Sequence, residues 1–212
     1  LDTAQAHFTQ CGISCFAVRN DLSDFASIPA LVDAVLNHYG QIDVLVNNAG
    51  CTWGAKAEEY PDEAWHKVMN LDITAQFFLS REVGKRSMIP RHAGKIINIS
   101  SIAGLGGNPP AWGMDTIAYN TAKGALINFT RTLAAEWGKH NIQVNAICPG
   151  FFPSKMSQGL LDAIEEQYKA RTAAGRLGEG QDLKGLTLLL ASAASDYMTG
   201  QAIAVDGGFS AG

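Results

Sequence analysis

The chain has 212 residues, of which 47% are hydrophobic, and its formal net charge at pH 7 is −4. This length and composition suit one globular domain with a sizeable core. The small negative charge and the lack of a basic run give no reason to expect a nucleic acid or an anionic membrane as a partner. The apolar stretches are strand-length and interrupted, so no transmembrane helix is predicted, and the N-terminal residues lack the pattern of a signal peptide.

The cysteines and histidines show no spacing that is typical of a metal site. Cys11, Cys15, Cys51 and Cys148 form no C-x-x-C motif, and the five histidines are scattered along the chain. Reduced, buried thiols in a cytoplasmic protein are the simplest interpretation of this pattern. We therefore predict a cytoplasmic location and no metal ion.

Strands and helices alternate in the first half of the chain. Hydrophobic periodicity predicts a short strand at 14–19, a helix from 28 to about 40, a strand at 42–47 and a long helix at about 62–88. The residues expected on the apolar side of the long helix are Trp65, Val68, Met69, Ile73, Phe77 and Phe78.

The same alternation continues to the end of the chain. We predict strands at 94–101, 144–150 and 203–208, and helices at 118–138 and about 182–193. Continuous apolar strands that alternate with helices are typical of a parallel sheet with helices on both faces. The predicted fold class is therefore α/β, with a doubly wound, Rossmann-like parallel sheet. Since no repeat or linker interrupts residues 1–212, we predict a single domain.

A tyrosine and a lysine four residues apart are the first candidates for chemistry. On a helix, Tyr119 and Lys123 share a face, so the ammonium can lie beside the phenol. A nearby cation favours the phenolate and lowers the pKa of the tyrosine, which makes it a usable general acid or base. Taken alone, Y-x-x-x-K is equally well explained as an ordinary amphipathic helix face.

Four further segments, in this order, change the interpretation of that pair. N-N-A-G stands at 47–50 at the end of one predicted strand, and I-N-I-S-S at 97–101 ends the next. The segments V-N-A-I-C-P-G at 144–150 and I-A-V-D-G-G at 203–208 follow. Together with Y-x-x-x-K they resemble the classical short-chain dehydrogenase/reductase family, and the resemblance covers essentially the whole chain.

The N-terminal part of the family pattern is not found. A dinucleotide-binding fold opens with a strand, a glycine-rich turn and a helix whose N-terminus holds the pyrophosphate. No G-x-x-x-G-x-G lies near this N-terminus. The resemblance implies that roughly forty residues with the first two strands are absent, and that the parent chain has about 250 residues. Because those strands would carry the residues that distinguish NAD from NADP, either cofactor is compatible with the sequence.

The resemblance implies a catalytic set. Ser100 and Ser101 compete for the role of the hydroxyl that orients the substrate. The family pattern assigns it to Ser101 and makes Ser100 structural, and side-chain alternation along a strand disfavours both facing one cleft. Tyr119 would donate or accept the proton, and Lys123 would bind the nicotinamide ribose and lower the pKa of Tyr119.

One position departs from the family pattern. Counting from Trp65 places Asp72 where relatives have an asparagine that helps to hold a water next to the lysine. Asn70 is a poor substitute, because helix positions two residues apart do not share a face. We therefore include Asp72 in the catalytic set, where a carboxylate beside Lys123 would weaken the effect of the ammonium on Tyr119.

The implied cofactor contacts lie at the ends of the predicted strands. Asp21 matches the acid that reaches the adenine, although an ordinary loop aspartate is an alternative reading. The implied set is Asp21, Asn47, Ala49, Gly50, Tyr119, Lys123, Pro149, Gly150, Phe152 and Ser154. The following helix, with Met156, Leu160 and Leu161, would form a mobile lid over the substrate.

The segment between Ser101 and Tyr119 is longer than is usual in the family. It adds 108–115, in which Trp112 and Met114 offer apolar surface beside the serine and two prolines stiffen the backbone. Either a wall of the substrate pocket or a decorated surface loop explains this insertion.

The predicted function is an NAD(P)-dependent oxidoreductase that interconverts a secondary alcohol and a ketone. The resemblance is strongest to 3-oxoacyl thioester reductases and sugar-acid or polyol dehydrogenases. The alternative is a catalytically weak family member that acts as a binding or scaffold protein. The long helices carry more apolar surface than one sheet face needs, and the resemblance implies that they pair across a two-fold axis. We therefore predict a homotetramer or homodimer.

Overall fold

The structure is a computed structural model that describes residues 2–153 and 158–211; side chains at 158–163 lie outside the description. Its helices are α1 (Asp2–Gln10), α2 (Ile28–Tyr39), α3 (Asp62–Met69), α4 (Ala75–Val83), α5 (Ile89–Arg91), α6 (Ile117–Trp137), α7 (Gln158–Arg171) and α8 (Gly180–Ala191). Its strands are β1 (Val44–Asn47), β2 (Gly94–Ile99), β3 (Ile142–Pro149) and β4 (Ala202–Val205).

The four strands form one parallel sheet in the order β1-β2-β3-β4. Alternate residues of each strand face opposite sides, and both sides are covered. Ile96 of β2 packs with Val32, Val83 and Leu133 from α2, α4 and α6. The next residue, Ile97, packs with Leu190 of α8 on the other face. The predicted doubly wound α/β fold is confirmed.

The predicted strand at 14–19 is wrong. These residues have no regular structure, and in the described part of the chain no strand pairs with them. The backbone amide of Phe16 instead donates to the hydroxyl of Tyr39 at 2.8 Å, and its ring stacks on His38. A strand forms when its backbone groups bond to a neighbouring strand, and apolar residues alone do not provide that partner.

The first residues of the predicted strand at 42–47 are also outside the sheet. The amide of Ile42 donates to Ser87 Oγ, and its carbonyl accepts from Arg91. Because both backbone groups bond to side chains, β1 begins at Val44.

The predicted long helix at 62–88 is a helical region with two π-helical segments, Asn70–Thr74 and Gly84–Met88. Each wide turn shifts the residues that follow relative to a regular helix. Phe77, which was expected on the apolar side, has 42% of its surface exposed. The first wide turn also carries Asp72, which is fully buried.

No helix in residues 2–153 and 158–211 is long and apolar enough to cross a membrane. In the same ranges, no group of three or more acidic, histidine or cysteine side chains is arranged to hold a metal ion.

Candidate active site

The carboxyl ends of β1, β2 and β3 open into a cavity of about 340 Å³ beside the start of α6. Open α/β sheets bind their ligands at this edge, outside the carboxyl ends of the strands. The predicted site residues that line the cavity are Gly50, Ser101, Tyr119, Lys123, Pro149, Gly150 and Phe152. The fold therefore gathers residues that are as much as 102 positions apart, from 50 to 152, around one space.

The two serines at the end of β2 direct their hydroxyls differently. Ser100 is 3% exposed, and its hydroxyl donates to the carbonyl of Lys123 at 2.8 Å. Ser101 Oγ accepts from the amide of Ala103 at 3.1 Å and is hydrogen-bonded to Tyr119. Ser100 thus fastens the strand end to α6, as predicted, while Ser101 is the serine that faces the phenol.

The turn that follows Ser101 (Ile102–Gly104), here called the serine turn, packs closely against α6. A Cβ added to Gly104 would lie 2.5 Å from the carbonyl carbon of Lys123, closer than any side chain permits. Glycine at 104 lets the turn that follows Ser101 approach the backbone of α6 directly. This approach places the hydroxyl of Ser101 beside the phenol, which sits one helical turn before Lys123.

The pKa of Tyr119 is raised above its usual value, so the predicted lowering is wrong. Burial is the largest cause, because it disfavours the phenolate. The hydrogen bond from Ser101 opposes this shift, whereas the charge of Asp72 adds to it. Lys123 Nζ lies 5.4 Å from the centre of the Tyr119 ring. Burial of the phenol therefore favours its protonated form.

Lys123 and Asp72 form a buried ion pair. Nζ lies 3.4 Å from Asp72 Oδ2 and donates to the carbonyl of Ile99 at 3.0 Å. The two residues are 3% and 0% exposed. Burial lowers the pKa of Lys123 and raises the pKa of Asp72, and the attraction between the two charges partly offsets both shifts. The carboxylate of Asp72 therefore lies beside Lys123, an arrangement that the sequence offered only as a possibility.

Asp72 is also fixed by the loop after β1. Its Oδ1 accepts from the backbone amide of Cys51 at 2.8 Å, and a Cβ on Gly50 would lie 2.9 Å from Oδ2. Gly50 thus leaves the space that the carboxylate occupies. Asn70, at the start of the same wide turn, does not line the cavity.

The asparagine of β1 has a structural role in this site. Asn47 is 3% exposed, and its amide donates to Asn98 of β2 at 2.8 Å and to Ser80 of α4 at 2.9 Å. Asn98 in turn donates to Thr130 of α6 at 2.9 Å. These hydrogen bonds connect β1 to β2 and tie both strands to the helices α4 and α6. They occupy the side chain of Asn47, which does not line the cavity.

Two other predicted cofactor contacts, Ala49 and Asp21, do not line the cavity. The carbonyl of Ala49 accepts from Gln76, and Ala49 does not line the cavity. Asp21 is exposed, and its carboxylate accepts from the amide of Ser23 at 2.9 Å in a tight local turn. Ser154 lies outside the described residues, as do Met156 and the side chains of Leu160 and Leu161 in the predicted lid.

Hydrogen bonds and side-chain packing fix the segment after β3, residues 150–152. The amide of Gly150 continues the sheet by donating to Val205 at 3.0 Å. The amide of Phe151 donates to the hydroxyl of Tyr168 at 3.2 Å, and Phe152 packs against Gly178. This segment forms the wall of the cavity opposite Tyr119 and Ser101 along the sheet edge.

The inserted loop is an ordered wall of the cavity, so the alternative of a surface decoration is wrong. Asn108 donates to the carbonyl of Met114 at 2.7 Å and to the hydroxyl of Thr116 at 2.9 Å. Trp112 stands against Tyr168 of α7 and Phe209, with ring centres 6.2 Å and 5.5 Å away. The loop residues that line the cavity are Gly107, Asn108, Pro109, Trp112, Met114 and Thr116.

Sequence reasoning missed several lining residues. Asn48 is one position from two residues that were named, and alternation along the strand is the signal that distinguishes it from the buried Asn47. Leu183 comes from α8, and Phe209 comes from the short helical turn Phe209–Ala211, here called the C-terminal turn. No local motif marks these two residues, because the approach of distant segments brings them to the cavity.

The cavity suits the nicotinamide half of a dinucleotide cofactor. An ammonium carries three N–H donors. Lys123 directs one to Ile99 and faces Asp72, which leaves a donor for a ribose hydroxyl in the cavity that it lines. Gly50 and Gly150 also line the cavity, and the absence of a Cβ at these positions lets Asp72 and Tyr168 pack against the strand ends. Residues Gly50, Lys123, Pro149, Gly150 and Phe152 would surround the group.

The amino-acid sequence matches one protein family and several enzymes of known name. A family model described as enoyl-(acyl carrier protein) reductase, of the short-chain dehydrogenase/reductase group, matches residues 2–210. The chain is 41% identical over 204 residues to a 2-dehydro-3-deoxy-D-gluconate 5-dehydrogenase of Dickeya dadantii, covering 95% of this chain and 78% of the relative. It is 38% identical over 200 residues to a rhamnolipid-biosynthesis 3-oxoacyl-[acyl-carrier-protein] reductase of Pseudomonas aeruginosa, covering 92% and 77%.

A solved structure of a similar protein has the same fold as this chain. A gluconate 5-dehydrogenase from Burkholderia cenocepacia, in complex with NADP and tartrate, superposes with a TM-score of 0.93 at 33% identity, covering 99% of this chain and 81% of that one. These three relatives are named as enzymes, and nothing in them favours a scaffold role. The chain therefore belongs to the short-chain dehydrogenase/reductase family and is an NAD(P)-dependent oxidoreductase that interconverts secondary alcohols and ketones.

Proposed function

We propose that the enzyme interconverts a hydroxyl group and a ketone in a sugar acid, with Ser101, Tyr119 and Lys123 as its catalytic residues. The observation that carries the proposal is the convergence of a hydroxyl, a phenol and an ammonium on one cavity at the sheet edge. Two of the relatives described above are named for sugar acids, which favours this substrate class.

The proposed roles follow from the contacts of each side chain. A bound nicotinamide dinucleotide supplies or accepts the hydride. Ser101 holds the substrate oxygen with its hydroxyl. Tyr119 donates its phenolic proton to that oxygen during ketone reduction and, as phenolate, takes the proton back during alcohol oxidation. Lys123 holds the ribose, and Asp72 acts on the reaction through Lys123 as a positioning residue.

The raised pKa of Tyr119 gives the two directions different pH requirements. Reduction needs the protonated phenol, which is the form that burial favours. Oxidation needs the phenolate, whose population grows as the pH rises toward the raised pKa. We therefore expect reduction to work at neutral pH and oxidation to become faster as the solution becomes alkaline.

The proposed cofactor contacts are Gly50, Tyr119, Lys123, Pro149, Gly150 and Phe152, with NAD or NADP as the dinucleotide. Asp21, Asn47 and Ala49 do not line the cavity, so we place them outside the nicotinamide contacts.

A second candidate is the reduction of a 3-oxoacyl thioester. The cavity wall is largely apolar, with Trp112, Met114, Phe151 and Phe209 among its members, and this surface suits an acyl chain. The Pseudomonas aeruginosa relative is named for this substrate class.

A binding and turnover experiment tests the proposal. Nicotinamide fluorescence should change on titration with the enzyme, and a panel that holds a 5-keto aldonate, a neutral ketose and a 3-oxoacyl thioester should show which ketone oxidises the reduced cofactor. We expect the aldonate to give the highest kcat/KM. Cofactor binding without turnover of any ketone would contradict the proposal and favour a binding role.

We also propose that the enzyme is a cytoplasmic homotetramer or homodimer. Phe77 is 42% exposed on α4, and its ring lies 6.1 Å from that of Phe129 on α6, so the two helices share an apolar patch that a second copy would cover. The free thiols of the four cysteines suit a reducing compartment, although the prediction that all four are buried is wrong, because Cys148 alone among them is buried. A monomeric mass by light scattering at micromolar concentration would contradict the assembly.

A further inference from the structure

Arg171 is the last residue of α7 and is exposed. Its guanidinium carbon lies 5.0 Å from the centre of the Phe209 ring and 5.8 Å from that of Trp112. Within the described residues, no carboxylate lies within ion-pair distance of Arg171. Neighbouring cations differ in this respect, since Lys169 pairs with Glu165 at 2.7 Å and Arg176 pairs with Asp182 at 2.7 Å.

The two rings beneath Arg171 belong to the cavity wall. Trp112 comes from the inserted loop and Phe209 from the C-terminal turn, and both line the cavity. Tyr168, which is 1% exposed, stacks on Phe209 with ring centres 5.0 Å apart and fixes the position of that ring. The guanidinium therefore rests on rings that are packed from behind.

Contact with ring faces leaves the edge of a guanidinium available. A cation over an aromatic ring interacts through its face, while the N–H donors of arginine point outward in its plane. Those donors match the two oxygens of a carboxylate. Arg171 does not itself line the cavity, but it lies against two rings that do, and this contact leaves free the donors that recognise an anion.

The charges of the cavity itself agree with an anionic ligand. The described lining residues include Lys123 and no aspartate or glutamate. The charge of Lys123 is already balanced by Asp72, which lies 3.4 Å away. A carboxylate that enters this space meets no acidic lining residue, and Arg171, which lies against two of the lining rings, lacks an acidic partner among the described residues.

We infer that Arg171, seated on Trp112 and Phe209, is the subsite for the carboxylate of the substrate. The ketone would then lie at Ser101 and Tyr119, while the carboxylate would extend past Trp112 and Phe209 to the guanidinium that lies against their rings. This inference rests on the proposed function and names the residue that distinguishes a sugar acid from a neutral sugar. The chemical class of the ligand is a polyhydroxy carboxylate.

A matched pair of substrates and a matched pair of variants test the subsite. 5-Keto-D-gluconate and L-sorbose carry the same ketone, but the first has a carboxylate where the second has CH₂OH. Arg171→Met and Lys169→Met each remove one positive charge from α7, and only the first removes the cation from the two rings. Loss of a charge-assisted contact is expected to lower kcat/KM for 5-keto-D-gluconate by roughly tenfold or more in Arg171→Met.

The expected pattern is specific. Arg171→Met should leave kcat/KM for L-sorbose unchanged, Lys169→Met should change neither substrate, and Arg171→Lys should recover part of the loss. Calorimetric titration with D-gluconate should show a weaker Kd by the same factor, and thermal melting confirms that each variant is folded. Equal losses for both ketones, or no loss for the acid, would overturn the subsite while leaving the oxidoreductase proposal intact. A wild-type enzyme that reduces neither ketone would overturn the sugar-acid proposal itself, and the subsite with it.

Discussion

The catalytic side of the cavity and its substrate side are held together by different forces. The catalytic side, formed by Ser100, Ser101, Tyr119, Lys123 and Asp72, is fixed by buried hydrogen bonds and an ion pair. One of these is the 2.8 Å hydrogen bond from the Ser100 hydroxyl to the carbonyl of Lys123. The substrate side, formed by Trp112, Tyr168 and Phe209, is fixed mainly by contacts between rings.

Proton transfer and substrate binding differ in how much displacement of the side chains they tolerate. Proton transfer depends on atoms that lie within hydrogen-bond distance, so small displacements of Ser101 or Tyr119 are costly. Ring contacts are spread over large surfaces and permit changes in shape with smaller losses. We therefore expect substitutions on the catalytic side to act on kcat or on stability, and substitutions on the substrate side to act on KM.

The largest effect should come from removing the phenolic hydroxyl. Tyr119→Phe should lower kcat for ketone reduction by roughly 10²–10⁴-fold, because the proton donor is lost. Cofactor affinity should change little, which a nicotinamide fluorescence titration measures. Tyr197→Phe is the control, since Tyr197 is fully exposed. Retention of more than a tenth of the wild-type kcat in Tyr119→Phe would show that another group donates the proton.

The contact between the serine turn and α6 should have the next largest effect. In Gly104→Ala the new methyl group would overlap the backbone of Lys123, and we expect the free energy of unfolding to fall by about 1–3 kcal/mol. Urea denaturation measures this change. Gly106→Ala is the matched control, because nothing lies within 4 Å of an added Cβ there. Equal stability of the two variants would mean that the approach of the turn to α6 is not required.

A substitution on the substrate side should separate KM from kcat. Trp112→Ala removes the ring that lines the cavity and packs against Phe209, so KM for the ketone should rise on the order of tenfold while kcat changes little. Steady-state kinetics provide both values. Trp53→Ala is the control, since Trp53 is 46% exposed and does not line the cavity. A selective fall in kcat would refute the division between the two sides.

The smallest effect should come from removing the charge of Asp72, whose carboxylate lies next to Lys123. Asp72 contributes to the raised pKa of Tyr119, so Asp72→Asn should lower that pKa. Alcohol oxidation requires the phenolate, and the lower limb of its pH–rate profile should therefore move to lower pH. At an effective dielectric of roughly 20 the shift should be about one unit or less.

Two outcomes of the Asp72→Asn experiment decide its interpretation. Asp33→Asn, on the distant helix α2, should leave the profile unchanged and serves as the control. An unchanged profile in Asp72→Asn as well would mean that the carboxylate charge has no influence on Tyr119. The cavity would then depend on the shape of residue 72 and on its bond to the amide of Cys51.

Much of the catalytic side could be predicted from the sequence. Spacing on a helix places Tyr119 and Lys123 on one face, and the ordered strand-end motifs lead to Ser101, Gly50 and Gly150. The environment of these groups could not be predicted. The sequence suggested that Lys123 lowers the pKa of Tyr119, but burial raises it, and burial depends on every segment that packs around the phenol.

The sequence by itself determined the alternation of strands and helices and the identity of the reacting groups, because both are set by residues close together in the chain. Tertiary structure decided which segments pair and which meet at the cavity. Residues 14–19 have strand-like composition and no described partner strand, and Trp112, Arg171 and Phe209 come together from three distant segments. Contacts of this kind depend on how the sheet edge, α7 and the C-terminal turn approach one another, and no local pattern encodes that approach.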